Sequence, residues 1–544
     1  MPTLDPQTIE TISQAAQILW ETFGKEFVQK VLKRGSDEVN WRRSVEKYYT
    51  SLYEYAGFVH VLGKMESEKL EEIFTDVNVL DKILAEQRYS LDHMREHFGP
   101  RAFRYSDKVK RQPGLDVLHS HNKLFILGKP GAGKTTFLKW AALQAIRREI
   151  NYFPIFVALK TLSDSKPGLR TGDEVLDYIV RLCRVHQIPE PRQFIERLLQ
   201  DNKCMVLFDG LDEVNVENRQ RDLLIDGLNE FVTQYGGGKV LITCRVAAND
   251  YSFTQFDYVE MADFSREQIG AFIDKWFSYD KDLAERCKNE LLKDNQNQAL
   301  LELAQIPLLL TLLCLTYEER FEFPPNRSEI YEEATRALLV KWDSSRKIRR
   351  DPAVYKELTL RHKQKLFAFT AYQTFLAGDY FLSQKQLVPQ IEAYLVNVPG
   401  VSEPDGEAVL QAIEAQHGIF VERARRIHSF SHLTLQEYYT ANFIVANEAR
   451  RSLANLMAYV EDNRWREVFL LVAGMLEDGG LFFRLFAEAL DKIGSEDMAL
   501  KALLKGVETV RPAKLNEFNP FEARLLLISW ALDYESINAL QGIY

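Results

Sequence analysis

Along the chain the hydrophobic positions change period several times. Up to about residue 115 apolar residues recur at helical spacing, as at Ile12, Ala15, Ala16, Leu19 and Phe23, without β-branched alternation, which predicts helices. Lys108 to Gly114 is polar and ends in Pro-Gly, as a linker would. From about 122, short and nearly continuous apolar runs alternate with helical stretches. KLFILG from Lys123, PIFVALK from Pro154, CMVLFDG from Cys204 and KVLITCR from Lys239 read as strands, and Lys134 to Arg148 reads as a helix. Buried strands separated by helices predict a parallel sheet covered on both faces. After about 263 the period is helical again, with apolar faces in AFIDKWF from Ala271, IPLLLTLLCL from Ile306 and EIYEEATRALLVKW from Glu329. The stretch 382–432 mixes short helices with a hairpin predicted around Gly418 to Phe430, a composition that suits a winged-helix unit. From about 446 the pattern is helical, as in GLFFRLFAEALDKI from Gly480. The expected domains are therefore an N-terminal helical one (1–115), an α/β one (116–262), a helical one (263–325), a winged-helix one (326–445) and a C-terminal helical one (446–544).

Composition narrows the partners. The 544 residues exceed what one hydrophobic core organises, and no repeat of about 20–50 residues suggests a solenoid. The net charge of −10 speaks against a protein that wraps nucleic acid. The basic stretches Lys108 to Arg111 and Arg346 to Arg350 read as solvated helix ends or linkers. The cysteines, Cys183, Cys204, Cys244, Cys287 and Cys314, are odd in number and form no C-x-x-C pair, which fits reduced thiols. The start, MPTLDPQTIE, has no apolar signal region, and the apolar run Pro307 to Leu315 is far shorter than the ~20 residues a membrane span requires. A cytoplasmic protein with no membrane span is expected.

The chemistry concentrates between residues 128 and 245. Gly128, Lys129, Pro130, Gly131, Ala132, Gly133, Lys134 and Thr135 fit G-x-x-x-x-G-K-[ST], between a predicted strand and a predicted helix, with Thr136 following. Glycines let the backbone N–H groups converge on phosphate oxygens, and the helix N-terminus adds its partial positive charge. Lys134 is placed to reach the β- and γ-phosphates and the Thr135 hydroxyl to ligate Mg²⁺. A phosphate loop requires an acidic partner, and CMVLFDGLDEV supplies it: Asp209 at a strand end for the Mg²⁺ shell, then Asp212 and Glu213, either of which could polarise the attacking water. Spacing alone does not choose between them. Thr243 and Arg245 end the next strand, beside the expected γ-phosphate. Arg245 is a candidate sensor of that phosphate, with an ordinary strand-end ion pair as the plainer reading.

GKPGAGKTT, LFDGLDEV and LITCR, in that order and spacing, resemble the NACHT branch of the signal-transducing NTPases (STAND proteins). Further segments resemble the same family. IPLLLTLLC resembles the helix whose proline, here Pro307, packs near adenine. FSHLTLQEYYTA from Phe430 resembles the winged-helix motif whose histidine, here His432, contacts the β-phosphate of ADP. NRWREVFLLVAG from Asn463 resembles the segment that follows, and GFVHVLGKMESEKLEEIFTDVNVL from Gly57 the helical lead-in of bacterial members. Cys244 stands where many members have Ser. The resemblance spans roughly 45–475 and implies ATP/ADP and Mg²⁺ as cofactors, slow hydrolysis, and a switch that forms homo-oligomers when ATP replaces ADP. ATP rather than GTP follows from the family alone, since no N-K-x-D motif is visible. Bacterial relatives of this size imply antiphage defence with a phage-derived trigger, the N-terminal helices serving as an effector and the tail from about 478 as a sensor, or both simply as packing. The competing classes are an AAA-like remodelling or nucleic-acid-linked ATPase and a phosphotransferase; nucleic acid is not indicated as a partner.

Overall fold

The structure, a computed structural model, describes residues 4–32, 38–60, 67–73, 78–80, 111–214, 219–245, 253, 255–293, 298–324, 327–336, 338–339, 355, 358–401, 404–416, 419–424 and 426–496. The basic stretch Arg346 to Arg350, all of the Lys108 to Gly114 linker before Arg111, Gly418 and the tail beyond 496 lie outside them. The chain forms two compact units, Met1–Phe443 and Ile444–Tyr544.

Twelve strands occur among the described residues: β1 (Phe58–His60), β2 (Ser67–Lys69), β3 (Asn78–Leu80), β4 (Arg111–Pro113), β5 (Lys123–Gly128), β6 (Phe153–Ala158), β7 (Cys204–Asp209), β8 (Lys239–Arg245), β9 (Asp257–Met261), β10 (Leu382–Ser383), β11 (Phe420–Ala424) and β12 (Ile427–Phe430). A seven-stranded sheet runs in the order β4-β3-β9-β5-β8-β7-β6. Its five strands from β9 to β6 are parallel, with β5 flanked by β8 and β9 in register Phe125↔Ile242 and Phe125↔Tyr258. The continuous burial of β5, β7 and β8 is what a strand covered on both faces requires.

The sheet is mixed rather than purely parallel, which corrects the expectation. β3 pairs antiparallel with β9 and β4 with β3, so residues assigned to an N-terminal helical domain complete the nucleotide-binding sheet. The division at 115 therefore cuts through one sheet. Three-residue strands carry no readable period, and their order comes from the neighbours they pair with. The β1–β2 hairpin is a second addition to the supposedly helical lead-in.

Helices Pro6–Leu19 and Glu38–Ala56 do fold as read. The first is capped by Asp5, which accepts from the Thr8 N–H at 2.9 Å, with Pro6 at the first helical position, where its missing N–H costs nothing. The aromatic face of the second covers β6. Tyr48 stacks on Phe153 at 5.0 Å, and Phe194, from helix Pro191–Gln200, lies 5.5 Å from Phe153 and 6.0 Å from Trp41. The Tyr48 hydroxyl donates to the Pro154 carbonyl at 2.9 Å.

Further along the chain, helix Leu360–Leu376, β10, helices Gln384–Leu395 and Gly406–Gln416, the β11–β12 hairpin and helix Leu433–Ala446, in which the first unit ends, follow in order, their strands forming a small antiparallel sheet β10-β12-β11. The second unit is helical over its described part, with Tyr459 stacked on Trp465 at 4.4 Å and Phe469 against Phe486 at 5.7 Å.

Candidate functional site

The loop between β5 and helix Lys134–Ile146 turns through Gly131 and Gly133, at φ +77° and +88°, values that side-chain-bearing residues rarely adopt. Gly133 caps the helix, so the first-turn N–H groups open toward the loop's concavity. A Cβ on Gly131 would lie 3.0 Å from Leu308 Cβ and 3.3 Å from Ile306 Cγ2. The loop thus rests on the start of helix Pro307–Arg320, and Pro307, its first residue, is brought beside the phosphate loop.

Lys134 folds over the loop, donating to the carbonyls of Gly128 at 2.7 Å and Lys129 at 3.1 Å. Thr135 Oγ1 donates to Asp209 Oδ1 at 3.2 Å, and Thr243 Oγ1 to the same oxygen at 2.8 Å. Thr243 also accepts from the Gly210 N–H at 2.9 Å, fixing the turn after β7. These groups share an open cleft lined by Pro130, Gly131, Gly133 to Thr136, Asp209, Gly210, Asp212, Glu213, Thr243 and Arg245. The hydroxyl of Thr135 and the carboxylate of Asp209 are hard oxygen donors side by side. They fit Mg²⁺, which binds through one or two protein oxygens together with phosphate and water. No cluster of three or more His, Cys, Asp or Glu suited to a metal occurs among the described residues, so phosphate oxygens and water would complete such a shell.

Asp212 and Glu213 part company here. Arg245 Nε lies 3.1 Å from Asp212 Oδ2, with only 3% and 4% of the two side chains exposed, and the Arg245 N–H donates to Asp212 Oδ1 at 3.1 Å. Asp212 is therefore a buried counter-ion of Arg245, while Glu213 is half-buried on the cleft wall. Alternation along β8 sends Thr243 and Arg245 to the cleft and Cys244 away from it. Burial pushes the Cys244 thiol up to about 12, so it is an inert core group.

His432 is not among the cleft-lining residues. It sits between β12 and helix Leu433–Ala446, 5% exposed. Its expected contact with the phosphates is therefore carried forward as a proposal, not as a feature of this cleft. Two features had no sequence signal. One is the buried pair His428–Glu414 in the small sheet, Nδ1 to Oε1 2.6 Å. There burial lowers the imidazole's affinity for its proton, the hydrogen bond and charge of Glu414 outweigh it, and the pKa ends above the usual value. The other is Asp263, bonded to Lys129 of the loop at 2.7 Å; β9, just before it, was not recognised as a strand.

A glycine-rich loop with its lysine and threonine, an aspartate at the end of a neighbouring strand and a polar third strand, all on a parallel sheet between helices, define a P-loop NTPase fold. Residues 122–280 match the family model of the NACHT domain, so the chain carries a NACHT domain. The mouse (Mus musculus) protein "NACHT, LRR and PYD domains-containing protein 3" is 24% identical over 346 residues, 59% of this chain and 30% of that protein. The chain thus spans about 30% of that relative. Among solved structures, a Signal Transduction ATPase with Numerous Domains (STAND) protein with a tetratricopeptide repeat sensor from Pyrococcus horikoshii overlaps 77% of this chain and 57% of its own at 16% identity and TM-score 0.23. The Thermotoga maritima RuvB Holliday junction branch migration motor overlaps 63% and 94% at 13% identity and TM-score 0.26. Overlaps this loose add nothing to the strand order and loop described above. No helix among the described residues is long and apolar enough to cross a membrane.

Proposed function

We propose that this protein is an ATP/ADP-dependent switch that hydrolyses ATP slowly and assembles with copies of itself in its ATP form. The observation that carries the reading is the convergence of Lys134, Thr135, Asp209, Thr243 and Glu213 on one cleft at the carboxyl ends of β5, β7 and β8. Lys134 would leave the loop carbonyls for the β- and γ-phosphate oxygens, as the backbone N–H groups of Lys129 to Thr136 close around the chain of phosphates. Bound Mg²⁺, held through Thr135 and Asp209, would neutralise charge developing between the phosphates. Glu213 is the general base in this reading, because Asp212 already spends both oxygens on Arg245. Arg245, a cleft-lining cation at the end of β8, would register the γ-phosphate through the same pair.

The switch requires ATP and ADP to favour different arrangements, since a ligand with equal affinity for two states shifts nothing. The phosphate loop rests on the Pro307 turn, so a change in loop shape is felt where the helical segment begins. The element order from Leu360 to Ala446 supports reading this part as a winged helix. His432 would join the phosphates only after that unit moves over the cleft. Antiphage defence in a bacterial cytoplasm, with a phage-derived trigger, rests on the family resemblance alone.

The test is to purify the full chain and identify its nucleotide. ADP held at near one per chain, slow turnover and ATP-dependent growth in mass support the switch. Lys134→Ala should lose bound nucleotide and turnover by about 100-fold or more. A chain that binds neither ADP nor ATP with Mg²⁺, or whose Lys134→Ala variant turns over normally, overturns it.

A further inference from the structure

Lys129 is the second residue of the phosphate loop, yet its ammonium bonds outside the loop, whereas that of Lys134 bonds to loop carbonyls. It lies 2.7 Å and 3.0 Å from the two carboxylate oxygens of Asp263, with 11% and 19% of the side chains exposed. Asp263 follows β9 by two residues, and its surroundings join three parts of the site. Its carbonyl accepts from Arg111 Nη1 at 3.1 Å, on edge strand β4. The next residue, Phe264, donates its N–H to the Gln305 carbonyl at 2.9 Å, in the turn that leads to Pro307. The end of β9 also abuts the loop's first residue, where a Cβ on Gly128 would lie 3.0 Å from Met261 Cβ.

We propose that Asp263 is a positioning residue for the nucleotide site: by holding Lys129 it fixes the phosphate loop against the Pro307 turn and thereby sets how long ADP is retained. The argument is geometric. The strap Met261–Phe264 is anchored on the sheet at one end and on the Pro307 turn at the other, and the Lys129–Asp263 pair is its bond to the loop. A half-buried, doubly contacted ion pair holds an orientation better than an exposed one, because neither charge is fully returned to water when it breaks. Without it the loop keeps its glycine turns but loses its lateral reference, and the Lys129 ammonium loses its counter-ion. This inference rests on the nucleotide reading above.

The experiment measures dissociation of a fluorescent ADP analogue (mant-ADP) from the full chain, with steady-state ATP hydrolysis alongside. Asp263→Asn should release the analogue about tenfold faster and raise KM by about tenfold, with kcat within about threefold of wild type. The charge-swapped pair Lys129→Glu with Asp263→Lys should recover most of the loss, which a merely structural role would not. Should Asp263→Asn fold poorly, Asp263→Glu keeps the charge but displaces the carboxylate from Lys129 and is read identically. Unchanged dissociation in the single variants, or a swap no better than Asp263→Asn alone, overturns the inference. A wild-type chain that binds no analogue at all fells the nucleotide reading instead.

Discussion

Along the β6 edge the central sheet is finished with rings: Phe153 and Phe194 meet Tyr48, Trp41, Phe23 and Phe27 at centroid separations of 5.0 to 6.0 Å. At the carboxyl ends of β5, β7 and β8 the same sheet is finished with hydroxyls and charges that bond one another around an open cleft. The seam is packed from buried rings, so its energy is burial, non-directional and large. The cleft stays open for a guest, and its groups are held in place by pairing among themselves. The N-terminal helices, which the sequence offered as an effector, spend their aromatic face on the NTPase sheet itself.

If that contrast is right, seam mutations should change stability and leave chemistry alone. Phe194→Ala removes the ring at which Trp41, Phe23, Phe27 and Phe153 meet, and should cost about 3–5 kcal/mol in denaturant unfolding. Turnover per folded molecule should stay within about twofold. A loss below about 1 kcal/mol would show that the helices merely lie on the sheet.

The cleft predicts the reverse. Glu213→Gln should lower kcat by about 100- to 1,000-fold, with ATP still bound and the melting temperature shifted little. Asp212→Asn should instead show itself in stability, by about 3 kcal/mol, because it strips the buried Arg245 guanidinium of its counter-ion. Measured side by side, an exchange of these two phenotypes would reverse the assignment of the base.

Sequence carried most of what lies near the loop. β5, β7 and β8 were legible because each is a continuous apolar run closed by chemistry, and Lys134, Thr135 and Asp209 because the motif fixes their roles. The adjacent acids could not be separated by spacing, since what divides them is Arg245, across a strand and 33 residues away from Asp212 in the chain. β9, with the sequence DYVEM, is short and broken by Asp257 and Glu260, which hides its place in the interior of the sheet. With β9 unread, Asp263 had no context. The aromatic residues of the first helices were visible as an apolar face, but a face does not name what covers it; Phe194 is about 150 residues downstream of Trp41.

The smallest test probes a polar link within the seam. Tyr48 donates to the Pro154 carbonyl at 2.9 Å, and burial raises its hydroxyl well above the ordinary tyrosine range. Tyr48→Phe keeps the ring stack on Phe153 and removes only that bond, so it should cost about 1 kcal/mol at neutral pH. The pH dependence separates the hydroxyl from any packing change. A group whose folded-state pKa is raised contributes stability that is complete below its unfolded value and is lost as pH rises through the folded value. The wild-type advantage over Tyr48→Phe should therefore hold constant up to about pH 10 and shrink above it, as the unfolded tyrosine ionises and the variant does not. Tyr49, also buried, loses stability equally in both proteins and cancels. A difference that stays constant through that alkaline range would mean that the ring, not the hydroxyl, accounts for the change, and that the seam is apolar throughout.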